Sequence, residues 1–417
     1  GAEHVVRAPG AGGRHPYLPR RQPHGHRARQ GCRCRRARDR GPRPGRIPET
    51  RPSLADPAWP LHLRGPEAEM RRLPDQRSLP IRGQDRMTKQ FNVVGIGNAM
   101  VDILARCDDA FLADTGIEKG IMQLIDMPRA VDLYSRIGPA QEVSGGSAAN
   151  TIAVIAALGG KTAYVGKVKD DQLGAIFAHD LRAQGAVYET ALAPRTAEDE
   201  TGRCIVLVTP DGERSMNTYL GVTEFLTADD IDPAQMEAAE WIYLEGYRFD
   251  GPDSHAAFAK AIDATRAAGG RVSLTLSDPF CISRHRDAFR EMIVEGVDLL
   301  FCNRAEVMAM VESDDFEAAR NVIASEVDIL ACTDSENGAY IHADGQVWHI
   351  PADPVEIVDA TGAGDAFAGA FLYGITHGAD LPTAGKMANL AAGSVIQHIG
   401  PRPEADLRAL FREHGLL

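Results

Sequence analysis

Short apolar runs alternate with helix-like segments from residue 91 onward, and this alternation is the strongest constraint on what the chain can fold into. Runs typical of buried strands lie at 91–94, 162–165, 241–245, 272–276, 299–302, 329–333 and 356–358. Helical patterns lie between them, at 148–158, 173–184, 255–268, after Asn303, after Gly364 and at 383–398. This order predicts an α/β fold, a mostly parallel sheet with helices on both faces. Ligands of such folds bind beyond the carboxyl ends of the strands.

Two Asp-Gly dipeptides, Asp211-Gly212 and Asp344-Gly345, lie between runs rich in β-forming residues and predict hairpins. The first hairpin does not fit a parallel sheet. We therefore expect a small β-sheet lid, built from parts of 103–143 and 194–222.

The first 86 residues differ sharply in composition from the rest. They hold 20 of the 45 Lys and Arg residues and 13 of the 25 prolines, against 8 of the 58 acidic residues. Such a segment has no hydrophobic period and cannot bury enough apolar surface to fold, so we expect it to be disordered. It is either an arm that could bind nucleic acid or an acidic surface, or a stretch foreign to the native protein. The folded domain is expected over 87–417.

Three further features bound what the chain can bind. Residues 87–417 carry a net charge of −25, which argues against nucleic acid as a partner. No apolar run reaches the roughly eighteen residues of a membrane span. The seven cysteines show neither zinc-ligand spacing nor a disulfide framework, which fits a cytoplasmic location.

The most informative motif is the run D-A-T-G-A-G-D-A-F at 359–367. Its small residues open a predicted helix, so the consecutive N–H groups of Thr361, Gly362, Ala363 and Gly364 can hold an anion such as phosphate. Asp365 would lie beside that anion, where a carboxylate can accept the proton of an attacking hydroxyl. The same pattern is also typical of a plain helix start in which Asp365 complements the helix dipole.

A second Gly-rich helix start, G-G-S-A-A-N, lies at 145–150. Gly145 and Gly146 let the backbone approach a ligand closely. Asn150 offers both a donor and an acceptor to vicinal hydroxyls. Without a ligand, the same run would be a flexible helix start with Ser147 as its N-cap.

Two other glycine motifs do not complete their patterns. The run 160–162 imitates the end of a phosphate-binding P-loop, but the glycine required five positions earlier is Ile155. The run 95–97 imitates a dinucleotide fingerprint, but its third glycine position is Met100. The second failure disfavours a nicotinamide-dependent dehydrogenase.

Together, the runs at 145–160 and 359–367 resemble the two signatures of the ribokinase-like (PfkB) carbohydrate and nucleoside kinases. Their order and separation are also those of the family. The resemblance implies a ribokinase-like three-layer α/β core with a β-sheet lid, ATP as the phosphoryl donor and Mg²⁺ as its helper. It also implies that Asp365 is the catalytic base. Ala360 departs from the family's usual threonine, but a backbone anion site needs small residues more than that hydroxyl.

Within the family, the segment 97–102 resembles the substrate motif of the adenosine kinase group, in which an aspartate binds ribose hydroxyls. The resemblance implies that Asp102 binds the acceptor. Ser147 favours this group, because ribokinases typically carry a lysine there. The other implied substrate contacts are Asn98, Met100, Gly145, Gly146, Ser147 and Asn150.

The remaining implied residues concern the phosphates and the nucleotide. Arg214 stands where the adenosine kinase group has a lid arginine that faces the transferring phosphoryl group; the alternative is a solvated hairpin charge. Asn303 and Glu306 resemble the family's N-x-x-E motif, in which the acid acts on Mg²⁺ through water and the amide reaches phosphate. Their alternative is a helix cap with a surface glutamate. Thr333 and Asn389 match positions that contact the nucleotide.

The resemblance thus predicts transfer of the γ-phosphoryl group of ATP to the 5′-hydroxyl of adenosine. Other acceptors stay open at this point: ribose, a ketohexose, inosine or guanosine. A catalytically silent ligand-binding protein is the alternative from another class, and it is disfavoured by the intact Asp365, Arg214 and Glu306. The sequence leaves open a dependence on K⁺ and the choice between a monomer and a homodimer.

Overall fold

The structure, a computed structural model, describes residues 89–417, and the predicted arm of residues 1–86 lies outside them. Within the described residues, the strands are β1 (Phe91–Ile96), β2 (Met100–Arg106), β3 (Met122–Leu124), β4 (Ala140–Gly145), β5 (Thr162–Val165), β6 (Val187–Tyr188), β7 (Gly202–Val208), β8 (Arg214–Tyr219), β9 (Ala239–Glu245), β10 (Arg271–Thr275), β11 (Leu299–Asn303), β12 (Ile329–Thr333), β13 (Ala339–Ala343) and β14 (Gln346–Ile350).

The α-helices of the same region are α1 (Asp109–Thr115), α2 (Met127–Arg136), α3 (Ser147–Ala157), α4 (Gln172–Ala183), α5 (Pro233–Glu237), α6 (Ser254–Ala267), α7 (Pro279–Gly296), α8 (Arg304–Val311), α9 (Phe316–Ala324), α10 (Ala363–Thr376), α11 (Leu381–Val395) and α12 (Leu407–Glu413). None of these helices combines the length and the apolar character that crossing a membrane requires.

The central sheet contains nine of these strands, in the order β14-β13-β12-β11-β10-β9-β1-β5-β6. Its strands from β12 to β6 are all parallel. The hairpin of β13 and β14 adds two antiparallel strands at one edge. The predicted mostly parallel sheet is therefore confirmed.

Helices cover both faces of this sheet and make three layers. Because successive strand side chains point to opposite faces, Val93 of β1 packs into one core and its neighbour Val94 into the other. Residues of α3, α4, α10, α11 and α12 share the core of Val93. Residues of α6 to α9 share that of Val94. The predicted α/β fold class is confirmed.

A second sheet of mixed direction has the order β3-β8-β7-β2-β4. Its strands fall in or next to the two segments predicted to form the lid. One face, with Ile103 and Ile205, packs into the core shared with α3 and α4. The opposite face carries a separate apolar cluster of Met100, Leu104, Cys204, Val206 and Val208, against which Ile399 packs.

Both predicted hairpins are present. Asp344 and Gly345 form a two-residue turn with φ of 51° and 72°, the left-handed conformation that this turn requires. The first hairpin is longer, since residues 209–213 separate β7 from β8. Gly212 lies in the left-handed region there, with a φ of 82°.

The predicted strand at 356–358 is wrong. Residues 351–360 form no regular element, so the D-A-T-G-A-G-D run follows a loop rather than a strand. Two β-forming residues, Ile357 and Val358, suggested the strand, but the segment pairs with none of the strands of residues 89–417. Instead, the N–H of Val358 donates to the carbonyl of Ile396, at the end of α11, at 2.8 Å.

Candidate active site

The start of α10 offers backbone N–H groups to open space. Gly362 is its N-cap, with a φ of 78°. A Cβ atom at Gly362 would lie 2.3 Å from the carbonyl oxygen of Pro401, so the loop needs glycine there. A Cβ atom at Gly364 would meet nothing within 4 Å. The N–H of Ala363 points to Ala360 O at a long 3.4 Å, so the first turn can still receive an anion.

The loop before α10 is held by a buried carboxylate that the sequence reasoning did not assign to the site. Asp359 Oδ1 accepts hydrogen bonds from the N–H and the hydroxyl of Thr361, at 2.9 and 2.5 Å. Its Oδ2 accepts from the N–H of Gly400 at 3.0 Å. Asp359 therefore ties the anion-binding loop to the turn after α11.

The two Gly-rich runs meet at Asp365, in the first turn of α10. Ser147 Oγ donates to Asp365 Oδ1 at 2.6 Å, and Asn150 Nδ2 donates to Oδ2 at 3.0 Å. The alternative reading of Ser147 as an N-cap is wrong, because Gly146 is the N-cap of α3. The two polar residues of the 145–150 run instead face the predicted base.

The electrostatics around Asp365 suit a group that takes up a proton. Removal from water raises the pKa of Asp365 above its usual value. The hydrogen bonds from Ser147 and Asn150 lower this pKa, as do the positive charges of Arg214 and Arg402. Arg214 is the first residue of β8, so the second sheet contributes a cation to this carboxylate.

Asp102 lies on β2, and its side chain faces the same site. It is 7% exposed, and burial raises its pKa to about 7, a shift that Arg402 opposes and Asp365 increases. A Cβ atom at Gly145 would lie 2.1 Å from Asp102 Cγ. One at Gly146 would lie 2.0 Å from the carbonyl oxygen of Asn98. The two glycines thus allow the predicted substrate segment to pack against the start of α3.

Two buried charges that the sequence reasoning missed hold Asn98. Its N–H donates to Glu245 Oε1 at 3.2 Å, and its side-chain oxygen accepts from Arg248 at 3.1 Å. Glu245 also accepts from the N–H of Ala148 at 2.8 Å, and burial raises its pKa to about 7. The one signal in the sequence was a glutamate at the end of an apolar strand.

Asn303 and Thr333 are brought together, since they are register partners at the ends of β11 and β12. Asn303 and Glu306 form a capping box: Glu306 accepts from the N–H and the amide of Asn303 at 3.0 and 2.6 Å. Glu306 is 5% exposed, so the alternative of a surface glutamate is wrong. Burial raises its pKa to about 8.

The residues present do not build a cage for a resident metal. Among residues 89–417, no three His, Cys, Asp or Glu side chains are arranged to hold a metal ion. Glu306 stands alone in its capping box, apart from the nearby charge of Asp278. An action of Glu306 on Mg²⁺ through water stays a prediction.

Asn389 lies further from this group, on α11. Its amide donates to the carbonyls of Ile350 and Pro351 at 2.9 and 3.1 Å, and so joins α11 to the loop after β14. A nucleotide contact by Asn389 stays a prediction.

Comparison with known proteins shows the family to which the chain belongs. The sequence profile of the pfkB family carbohydrate kinases matches residues 121–407. The chain belongs to the PfkB family. It is a phosphotransferase that acts on the alcohol group of a small sugar or nucleoside, and kinases of this family in general use ATP with Mg²⁺.

Solved structures agree with this placement. An adenosine kinase from Sinorhizobium meliloti is 46% identical, with a TM-score of 0.75 over 78% of this chain and 99% of that one. A probable sugar kinase from Rhizobium etli is 47% identical, with a TM-score of 0.76 over 79% and 100%. A relative by sequence, an ATP-dependent ribose-1-phosphate kinase from Halopiger xanaduensis, is 30% identical over a region that covers 69% of this chain and 92% of the relative. The PfkB relatives of this chain therefore differ in acceptor.

Proposed function

We propose that this PfkB kinase transfers the γ-phosphoryl group of ATP to the 5′-hydroxyl of adenosine. One observation carries the proposal: Asp102 lies between Met100 and Leu104 on the apolar face of the second sheet, and its charge interacts with that of Asp365. The same face carries Met100, Leu104, Cys204, Val206 and Val208. A carboxylate among apolar side chains suits a ribose that bears a purine, since vicinal hydroxyls need an acceptor and a base needs apolar contact.

In the proposed reaction, Asp365 accepts the proton of the 5′-hydroxyl while the hydroxyl oxygen forms a bond to the γ-phosphorus of ATP. At the same time, the bond between the γ-phosphorus and the oxygen that bridges it to the β-phosphorus breaks, and ADP leaves with that oxygen. The N–H groups at the start of α10 and the guanidinium of Arg214 face the negative charge of the transferring group. Glu306 would hold Mg²⁺ through water, and the ion would supply positive charge to the phosphates of ATP.

The S. meliloti relative supports adenosine as the acceptor, and the site's charges disfavour a phosphorylated sugar. Asp102 and Asp365 would both repel a phosphate at the acceptor position. Arg402 is near both, but each of its three side-chain nitrogens already donates to a protein group. A ribose 1-phosphate would therefore place its phosphate beside two carboxylates, with Arg214 as the other nearby cation.

We also infer that the reaction takes place in the cytoplasm, as a step of purine salvage. The five cysteines of the described residues are all free, as expected in a reducing compartment. The residues proposed to act all come from one chain, so either a monomer or a homodimer can carry out the reaction.

The test measures ADP release by the full chain with adenosine, inosine, guanosine, ribose, fructose and ribose 1-phosphate. We expect kcat/KM for adenosine to exceed that for ribose by at least about a hundredfold, because the purine adds binding that the transition state can use. The product should be AMP phosphorylated at the 5′ position. Equal turnover of ribose, or preference for ribose 1-phosphate, would contradict adenosine and leave the family activity intact. Exchange of K⁺ for Na⁺ in the same assay measures any dependence on K⁺.

A further inference from the structure

Arg402 lies in the turn after α11 and reaches into the proposed site. Its side chain is 14% exposed. One terminal nitrogen donates to Asp180 Oδ2 of α4 at 2.9 Å. The other donates to the carbonyl and hydroxyl oxygens of Ser144 on β4, at 2.6 and 2.7 Å. Arg402 therefore joins the second sheet, the main core and the C-terminal turn.

The third nitrogen of Arg402 sets the direction of the Asn150 amide. Arg402 Nε donates to Asn150 Oδ1 at 3.3 Å. A guanidinium can only donate, so the amide oxygen must face it. The NH₂ group of Asn150 then faces Asp365, to which it donates at 3.0 Å. Without Arg402, the amide could rotate and present its oxygen to the carboxylate.

The charge of Arg402 also faces both carboxylates of the site. It lowers the pKa of Asp102 and that of Asp365. The other charged or titratable groups that interact with Asp365 are Arg214 on β8, Asp102 on β2, and Tyr243 and Glu245 on β9. Asp102, Tyr243 and Glu245 add no positive charge, so Arg402 and Arg214 are the two cations among residues 89–417 that oppose the burial of Asp365.

We propose that Arg402 is a positioning residue for the transfer reaction. It fixes the Asn150 amide so that its N–H donates to Asp365, and it supplies the positive charge that faces the carboxylates of Asp102 and Asp365. This inference rests on the proposed function, in which Asp365 is the base.

The effect of pH separates this role from a purely structural one. The pKa of Asp180 is held below its usual value, with hydrogen bonds from Ser144 and the charge of Arg402 opposing its burial. The pairing of Arg402 with Asp180 therefore changes below about pH 4 and is constant between about pH 5 and 8. Burial raises the pKa values of Asp102 and Asp365, so a change in the effect of Arg402 across that window does not come from Asp180 and is expected from the carboxylates of the site.

The experiment compares Arg402→Gln, Arg402→Lys and the control Arg412→Gln, which lies at an exposed position of α12. kcat/KM is measured from pH 5 to 9 with the best acceptor of the panel. Arg402→Gln should move the acidic limb of the profile upward by about one pH unit, and so lower kcat/KM on that limb by up to about tenfold. Arg402→Lys should keep the limb but lower kcat, because it retains the charge and loses the contact that orients Asn150. The control should match the wild type.

Urea unfolding of the same variants needs no acceptor. In the folded state without Arg402, the carboxylates of Asp102 and Asp365 bind protons more tightly. The free energy of unfolding of Arg402→Gln should therefore fall relative to that of the wild type as pH rises from 5 to 8. An unmoved limb together with a stability difference independent of pH would overturn the inference. If Arg402→Gln does not fold, the test rests on Arg402→Lys, and an unchanged kcat of that variant would overturn the inference. If no acceptor is phosphorylated, the proposed function fails, while the unfolding comparison still tests Arg402.

Discussion

The hydroxyl of Ser147, the first residue of α3, donates a 2.6 Å hydrogen bond to Asp365 Oδ1 in the first turn of α10, across 218 residues of sequence. The bond joins the two Gly-rich runs of the chain at a single carboxylate. It also lowers the pKa of Asp365 against the effect of burial. The Gly-rich run at 145–150 thus directly affects the pKa of the proposed base.

Ser147→Ala should make the reaction more sensitive to acid. Loss of the hydrogen bond raises the pKa of Asp365, so a smaller fraction is ionised at low pH. We expect kcat/KM to fall by up to about tenfold at the acidic end of the pH profile and by less than about threefold at pH 9. Ser325→Ala, at the exposed end of α9, is the matched control. A loss of the same size at both pH values would show that Ser147 does not act through the protonation of Asp365.

Features that depend on neighbouring residues were predictable from the sequence. The strands Thr162–Val165 and Ile329–Thr333 have their predicted bounds, because each is a compact run of β-forming residues. The Asp344-Gly345 turn was predictable because its two residues tolerate positive φ. The position of both Gly-rich runs at helix starts followed from their own composition.

Features that depend on distant residues were not predictable. Arg402 contacts Asn150 across 252 residues and Asp180 across 222, and nothing in its Gly-Pro-Arg-Pro surroundings indicates either contact. The pattern at 356–358 fits a strand, but a strand also needs a neighbour to pair with, which no local pattern reveals. The buried Glu245 was missed for the same reason.

Asp102→Asn should stabilise the protein at neutral pH while it weakens acceptor binding. The pKa of Asp102 is about 7 in the folded protein, and its ordinary value is 3.8, so the folded state binds the extra proton between about pH 4 and 7. The stabilising contribution of the protonated form is present below about pH 4 and is lost as pH rises through 7. The variant avoids this loss, so its gain over the wild type should grow with pH and reach about 1–3 kcal/mol at pH 8.

Urea unfolding at pH 5 and pH 8 measures this gain, with the exposed Asp114→Asn as control. In the same variant, KM for the acceptor should rise at least about tenfold through the loss of a charged hydrogen-bond acceptor. A gain that does not change with pH would show that Asp102 is already ionised without cost in the folded protein.

Gly364→Ala tests the anion site at the start of α10. The added methyl group meets no protein atom within 4 Å, so folding should be unchanged or stabilised by up to about 1 kcal/mol. The methyl group would project into the space proposed for phosphate, and kcat/KM for ATP should fall at least about tenfold. Gly296→Ala, at the end of α7, has similar free space and should keep full activity. Full activity of Gly364→Ala would place the phosphate elsewhere.

Removal of residues 1–86 should leave the kinase intact. Their composition predicts no folded core, and the proposed site residues all lie after them. A chain that starts at Met87 should show the same melting temperature and the same kcat/KM as the full chain. Loss of either on truncation would mean that the segment contributes to the fold or to the site.

The most direct test of the account is the kcat of Asp365→Asn with adenosine and ATP. The side-chain oxygen of the asparagine can still accept from Asn150, and its NH₂ group can donate to the hydroxyl of Ser147, so folding should survive. The amide cannot take up the proton, and loss of a general base costs about 10²–10⁴-fold. We therefore predict a kcat at least about a hundredfold below the wild type, with the affinities for both ligands changed by less than about tenfold. A variant that binds both ligands and keeps more than about half of the wild-type kcat would contradict the account and leave Asp365 as a complement to the helix dipole.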